Sequence, residues 1–106
     1  MALTELRYLE RVVRGFASHR RIQILQLLSE RPELDLMQIA RACGIQFRNA
    51  SEHVRRLAYA GLVIKRSKGR QVLHKVAPRG RQVLTFLRAL QRAPVPTTPT
   101  APPARD

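Results

Sequence analysis

The chain has 106 residues, with 20 Lys and Arg against 7 Asp and Glu, a net charge of +13. This length makes one domain with little room for an enzyme cleft beside its core, and the charge points to a polyanionic partner. The single cysteine, Cys43, excludes an intramolecular disulfide framework; with no membrane-length apolar run, and with Glu5 and Glu10 interrupting the first segment where a signal peptide would be apolar, the expected chain is soluble and cytoplasmic.

Leu3, Leu6, Leu9, Val13 and Phe16 recur at three- and four-residue steps and predict an amphipathic first helix, weakened towards its end by Gly15. Ser18 is placed to cap a second helix carrying Ile22, Leu25 and Leu28 on one face, with Ile24 and Leu27 beside it and Pro32 after its end. Asp35 opens a short third helix, with Gln38 at the capping-box spacing, Ile39, Ala40 and Cys43 on its apolar side and Gly44 at its end. A fourth helix runs from about Gln46 to Ala60 on a stripe of Phe47, Ala50, Val54, Leu57 and Ala58, closed by Gly61. The period then changes: Leu62-Val63-Ile64 and Gln71 to Val76 read as two strands around Ser67-Lys68-Gly69-Arg70. Pro78 starts a last helix with Val83, Leu84, Leu87 and Leu90 on one side. Residues 1–92 are thus expected to form a mostly α domain of five helices plus a small β-hairpin. The proline-rich stretch 93–106 is expected to be a disordered tail.

Helices three and four around Gly44-Ile45 have the plan of a helix-turn-helix. Ala50, Val54 and Leu57 lock the second of these helices into the core. Its other face carries Arg48, Asn49, Ser51, Glu52, Arg55 and Arg56. Arg reads guanine, Asn reads adenine and Glu accepts from cytosine in a major groove. Arg48, Asn49, Ser51, Glu52 and Arg55 are therefore the base-reading candidates. Directly after them comes a hairpin rich in Lys65, Arg66, Lys68, Arg70 and Lys75, uninterrupted by acid. Such a hairpin suits gripping phosphate or entering a minor groove, so Arg56, Lys65, Arg66, Lys68 and Arg70 are the phosphate candidates.

From Phe16 to Val76 the chain resembles the winged helix of the ArsR/SmtB transcription regulators. Phe16-Ala17-Ser18-His19-Arg20-Arg21-Ile22-Gln23-Ile24-Leu25 matches the family's Leu-Ala-Asp-Pro-Thr-Arg-Leu-Arg-Ile-Leu, with Ser18 as the cap. Gly44 to Val54, followed by Ala60-Gly61-Leu62-Val63, matches its recognition region at the same spacing, and Gly69 to Val76 matches its wing. MarR-type regulators share the plan. The resemblance implies a homodimer on double-stranded DNA, probing successive major grooves with the fourth helix and holding flanking backbone with the wing. It also implies that the first and last helices pair across the dyad, which makes Leu6, Leu9, Val13, Phe16, Val83, Leu84, Leu87 and Leu90 the candidate dimer interface.

The departures from the family are specific. Its arsenic and lead sensors carry Cys-x-Cys where this chain has Asp35 and Met37, and its zinc sensors use Asp and His on a last helix that here has neither. His19, His53 and His74 fall on different elements without zinc-ligand spacing, so neither metal nor other cofactor is expected. Gln46 is a weak cap where the family has Ser, and Phe47, replacing a common Gln, reads as core. Cys43 reads as a small buried hydrophobe. No Ser-His-acid or Cys-His pair forms a catalytic unit. The expected function is sequence-specific DNA binding that represses transcription, with no effector assigned. The alternatives are an architectural DNA-coating protein, and a protein-interaction winged helix docking through its proline-rich tail.

Overall fold

The computed structural model describes residues 1–94. Five helices and one antiparallel hairpin follow in the order α1 (Leu3–Phe16), α2 (His19–Glu30), α3 (Leu36–Cys43), α4 (Phe47–Tyr59), β1 (Val63–Lys68), β2 (Gln71–Val76) and α5 (Pro78–Arg92). The expected tail lies, from residue 95 onward, outside the described residues. Among the described residues no helix is long and apolar enough to cross a membrane.

Local chemistry sets the element boundaries. The Ser18 hydroxyl accepts the Arg21 amide at 3.4 Å and starts α2. Asp35 and Gln38 form the reciprocal capping box at α3, with contacts of 2.8 and 2.9 Å. Gly44 turns the chain between α3 and α4 with φ +66°, a left-handed conformation that other residues adopt only at a cost. The Arg20 guanidinium bonds the Cys43 carbonyl at 3.2 Å, a cation at the negative end of α3.

The core is aliphatic, as the composition predicts. Ile24, Leu25 and Leu28 of α2 and Ile39 of α3 are fully buried against Ala50, Val54 and Leu57 of α4, with Leu62, Val63 and Val76 from the hairpin and Val83 and Leu84 from α5. Two glycines allow close approach. A Cβ on Gly15 would stand 2.3 Å from the Ala60 Cβ, and one on Gly80 would stand 2.4 Å from the Leu62 carbonyl oxygen. Gly15 is therefore the contact point of α1 and α4, beyond the helix-weakening role read from the sequence.

The hairpin is longer than expected on its first strand. Ser67 and Lys68 pair with Val72 and Gln71, leaving a two-residue loop at Gly69-Arg70. Gly69 takes the first loop position with φ +62°, which tight hairpins favour. The hairpin is pinned to the segment preceding α3. The His74 amide donates to the Leu34 carbonyl at 2.9 Å, and the Glu33 and Leu34 amides donate to the His74 carbonyl at 2.9 and 3.2 Å.

Candidate nucleic-acid interface

α4 divides cleanly into two sides. Ala50, Val54 and Leu57 are buried, whereas Arg48, Asn49, Arg55 and Arg56 are exposed and Ser51 and Glu52 half-buried. Gln46 supplies no side-chain cap, so the positive end of the α4 dipole faces outward without a local acceptor from that side chain. Glu52 is not a free acceptor. Its carboxylate takes contacts of 2.8–3.2 Å from Arg55 and one of 2.9 Å from Arg56. These guanidiniums, Arg55 first, hold its carboxyl below the usual carboxylate range. The base-reading candidates thus form two groups: Arg48 and Asn49 in the first turn, and an Arg55–Glu52–Arg56 cluster beyond them.

His53 sits half-buried on the flank towards α2. Its Nδ1 lies 3.3 Å from Arg21 Nη1, and Arg21 also donates to the carbonyls of Gly15 and Arg14 at 2.8 and 3.3 Å. Burial, then the Arg21 charge, lowers the His53 pKa, consistent with a neutral ring accepting from Arg21.

On the hairpin Lys65, Arg66, Lys68, Arg70 and Lys75 are all exposed. No acid interrupts this run in the sequence, but Glu33, far away in sequence, is ion-paired with Arg66. Glu33 has φ +67°, a conformation costing an ordinary residue about 1 kcal/mol. The Arg66 hydrogen bond, ahead of all other influences, lowers the Glu33 carboxyl pKa. Lys65, Lys68, Arg70 and Lys75 have no ion-pair partner among the described residues.

Phe47 also departs from the sequence reading. It keeps the spacing of the core stripe yet is 48% exposed. As the first residue of α4, its side chain leans back past the end of the core. It lines a shallow groove with Leu36 and Met37 of α3 and Arg70, Gln71 and Val72 of the hairpin, and Asp35 at its edge accepts from Gln71 at 3.2 Å. The start of α4 and the turn of the hairpin therefore share one surface. Tyr59, also missed, is exposed seven residues after Glu52. The same helical period that placed Arg48 and Glu52 on the outward face places Tyr59 there too.

The expected dimer residues separate. Leu6, Leu9, Val13 and Leu90 are exposed, and Leu87 is partly buried against the core. Phe16, Val83 and Leu84, candidates for the same dimer interface, are instead buried in the protomer's own core. Phe16 and Val83 form the floor of a groove between α1 and α5 whose rim includes Tyr8, Leu9, Val13, Arg79 and Phe86. Tyr8 and Phe86 were not singled out from the sequence; the Arg79 guanidinium lies 5.0 Å from the Tyr8 ring centroid.

Cys43 is buried, and burial pushes its thiol pKa up. His74 is 2% exposed, its Nδ1 2.9 Å from the Leu34 carbonyl oxygen; burial, above all, lowers its pKa. Among the described residues no three His, Cys, Asp or Glu side chains cluster as metal ligands would.

Comparison with known proteins places this arrangement. Residues 18–65 match the model of the arsR family of bacterial regulatory proteins. No curated protein matches the chain. Among solved structures, the chain is similar to the homodimeric winged helix-turn-helix DNA-binding domain of a possible ArsR-family transcriptional regulator from Mycobacterium bovis. The solution structure of that domain is 28% identical with a TM-score of 0.76, over 83% of this chain and 82% of that one. A crystal structure of the M. bovis regulatory protein is 27% identical with a TM-score of 0.77, over 86% and 98%. HlyU from Vibrio cholerae, at 21% identity and a TM-score of 0.73 over 84% and 97%, shares the fold.

Proposed function

We propose that this chain, whose residues 18–65 match the model of the arsR family of bacterial regulatory proteins, is a homodimeric, sequence-specific double-stranded DNA-binding regulator that represses transcription. The observation that carries the reading is the single surface on which the start of α4 meets the hairpin turn, with Phe47 beside Arg70 and Gln71. A helix that locks one side into the core and turns Arg48 and Asn49 outward can enter a major groove. The hairpin, held to the segment before α3 by the Leu34–His74 pairing, then sets exposed Lys65, Lys68 and Arg70 beside the backbone.

In this reading Arg48 and Asn49 read base edges. Phe47 adds apolar contact of the kind that reads a thymine methyl. Glu52 holds Arg55 and Arg56 in place before DNA arrives, then either accepts from a cytosine or continues to orient Arg55. Ser51, half-buried like Glu52, lies on the same face. Lys65, Lys68 and Arg70 neutralise phosphates, with Arg56 and Arg66 joining by exchanging carboxylate for phosphate.

The exposed apolar face of α1 and α5 supports the homodimer, as does the homodimeric state of the similar M. bovis domain. Asp35 is spent as a helix cap and on Gln71, so the arsenic-sensor position has no ligand role in this reading. The regulator then works without the family's metal sites, and without catalysis.

Selection of bound duplexes from a random pool at fixed salt tests the proposal. The expected result is an inverted repeat with half-sites about one helical turn, ~10 base pairs, apart. A pool that stays random while binding remains tight would replace it with the architectural reading.

A further inference from the structure

A second basic feature lies away from the Phe47 surface. Between the C-terminal half of α1 and the last turns of α4 is a cleft of about 340 Å³. Its floor is Gly15 and Ala60, where the absence of a side chain at Gly15 lets the two helices touch. Arg11 and Arg14 of α1, Arg55 and Arg56 of α4, and the ring of Tyr59 form its walls. The Arg11 guanidinium lies 6.0 Å from the Tyr59 centroid, within the range in which the ring face attracts and orients it.

Two acids reach these four guanidiniums. Glu10 pairs with Arg14 at 3.1 Å, both side chains largely in water, and Glu52 pairs with Arg55 and Arg56. Among the described residues, two positive charges remain without an acid partner around one concavity. Arg21, which donates to the Gly15 and Arg14 carbonyls beside the cleft, adds a further cation; burial first, and then repulsion from Arg56, lower its pKa. Concavity and crowding are what an oxyanion relieves. A guanidinium fork matches the oxygens of phosphate in a bidentate way, and the cleft volume is at the lower end of small-ligand pockets.

We propose that the α1–α4 cleft is a phosphate-binding site, with Arg11, Arg14, Arg55 and Arg56 as its ligating groups. The phosphate has two sources: a free phosphorylated small molecule, or the backbone of bound duplex. Only the second rests on the DNA-binding reading. A free ligand would share Arg55 and Arg56 with the recognition face and so compete with DNA.

The test uses the full chain, with inorganic pyrophosphate as the probe of the free source and a duplex salt titration as the probe of the other. Arg11→Ala with Arg14→Ala removes the α1 half of the site. Both residues are exposed, and alanine favours helix, so the variant should fold; a thermal melt confirms it. Arg81→Ala with Arg88→Ala removes the same charge from α5, outside the cleft, as a control for general field effects. Arg11→Lys with Arg14→Lys keeps the charge but loses the fork.

If the source is free, pyrophosphate should bind the DNA-free protein and weaken about tenfold or more in the cleft variant, the loss expected for two charged hydrogen-bond donors. The α5 control should keep most of its affinity, and the Lys variant should fall between. If the source is DNA, pyrophosphate should not bind, and the slope of log affinity against log salt should drop by about 2 in the cleft variant. Equal pyrophosphate affinity in the cleft and α5 variants, together with an unchanged salt slope, would overturn the proposal while leaving the DNA-binding reading standing. A chain that bound no duplex at all would end that reading and leave the pyrophosphate comparison to decide this one.

Discussion

The protomer has two exposed faces of opposite chemistry. The outward side of α4 and the hairpin is mainly cationic, with Ala50, Val54 and Leu57 turned inward to the core and Phe47, Tyr59, Ile64 and Val72 exposed among the charges. α1 does the reverse: only Val12, Gly15 and Phe16 are buried, while Leu3, Leu6, Leu9 and Val13 face out, near exposed Tyr8 and Phe86. A soluble helix normally presents its polar stripe to water. A helix that presents its apolar stripe instead has a surface that the described residues leave uncovered, and a patch of this kind marks an interaction site. The contrast teaches that periodicity identifies the apolar side of a helix without saying whose core it enters.

The largest effect should come from breaking the apolar face. Leu6→Glu with Leu9→Glu places two charges where a second copy would sit, at positions the protomer core does not use. Sedimentation should show a monomer, and affinity for a two-half-site operator should fall by about a hundredfold or more as the half-sites cease to add. A dimer that persists would move the interface elsewhere. Leu87 is a poorer probe because it packs partly against the core.

The cationic face should respond more gently. Lys68→Ala with Arg70→Ala removes two exposed cations that have no ion-pair partner among the described residues. Affinity should fall for all duplexes alike, with the salt slope reduced by about 2; a slope that did not move would take the hairpin off the DNA. Phe47→Ala should cost about 1 kcal/mol on the preferred duplex only, without lowering the melting temperature. A marked thermal loss would mean that Phe47 is a core residue after all.

The smallest effect is on stability against pH. Burial lowers the pKa of both His74 and His53 from the ordinary value of 6.5, so the unfolded chain binds protons first on acidification. Stability should be full above about pH 6.5 and decline below it. Glu33 and Glu52, lowered by their arginines, add a loss in the same direction only in the carboxylate range. Melting temperature at pH 7.5 and 5.5 checks this, and a rise on acidification would contradict it.

Much of the fold was legible because its signals are local. Ser18, the Asp35–Gln38 pair and Gly44 act within three or four residues, and each does in the structure what its spacing announces. What escaped is set by distant partners. Glu33 meets Arg66 across more than thirty residues, and nothing in the run of cations after α4 reveals it. Gly15 looked like a weak helix end because its reason, Ala60, lies on another helix. Phe47 has core spacing, and only the end of the packed region beneath it turns it outward. Phe16, Val83 and Leu84 share the apolar stripes of the outward residues but lie just far enough round their helices to enter the protomer core. The base-reading candidates were legible as a face. The pairing of Glu52 with both Arg55 and Arg56 was implicit in their three- and four-residue spacings.

The central claim is that α4 reads sequence, and Asn49→Ala tests it most directly. Asn49 is exposed, carries no charge and packs against no core residue needed for folding. Its variant should be titrated against the selected duplex and a scrambled one at the same salt. A lost bidentate contact should cost about 1–3 kcal/mol on the selected duplex and leave the scrambled one unchanged. Equal affinities of variant and parent on both duplexes, or equal losses on both, would contradict the account.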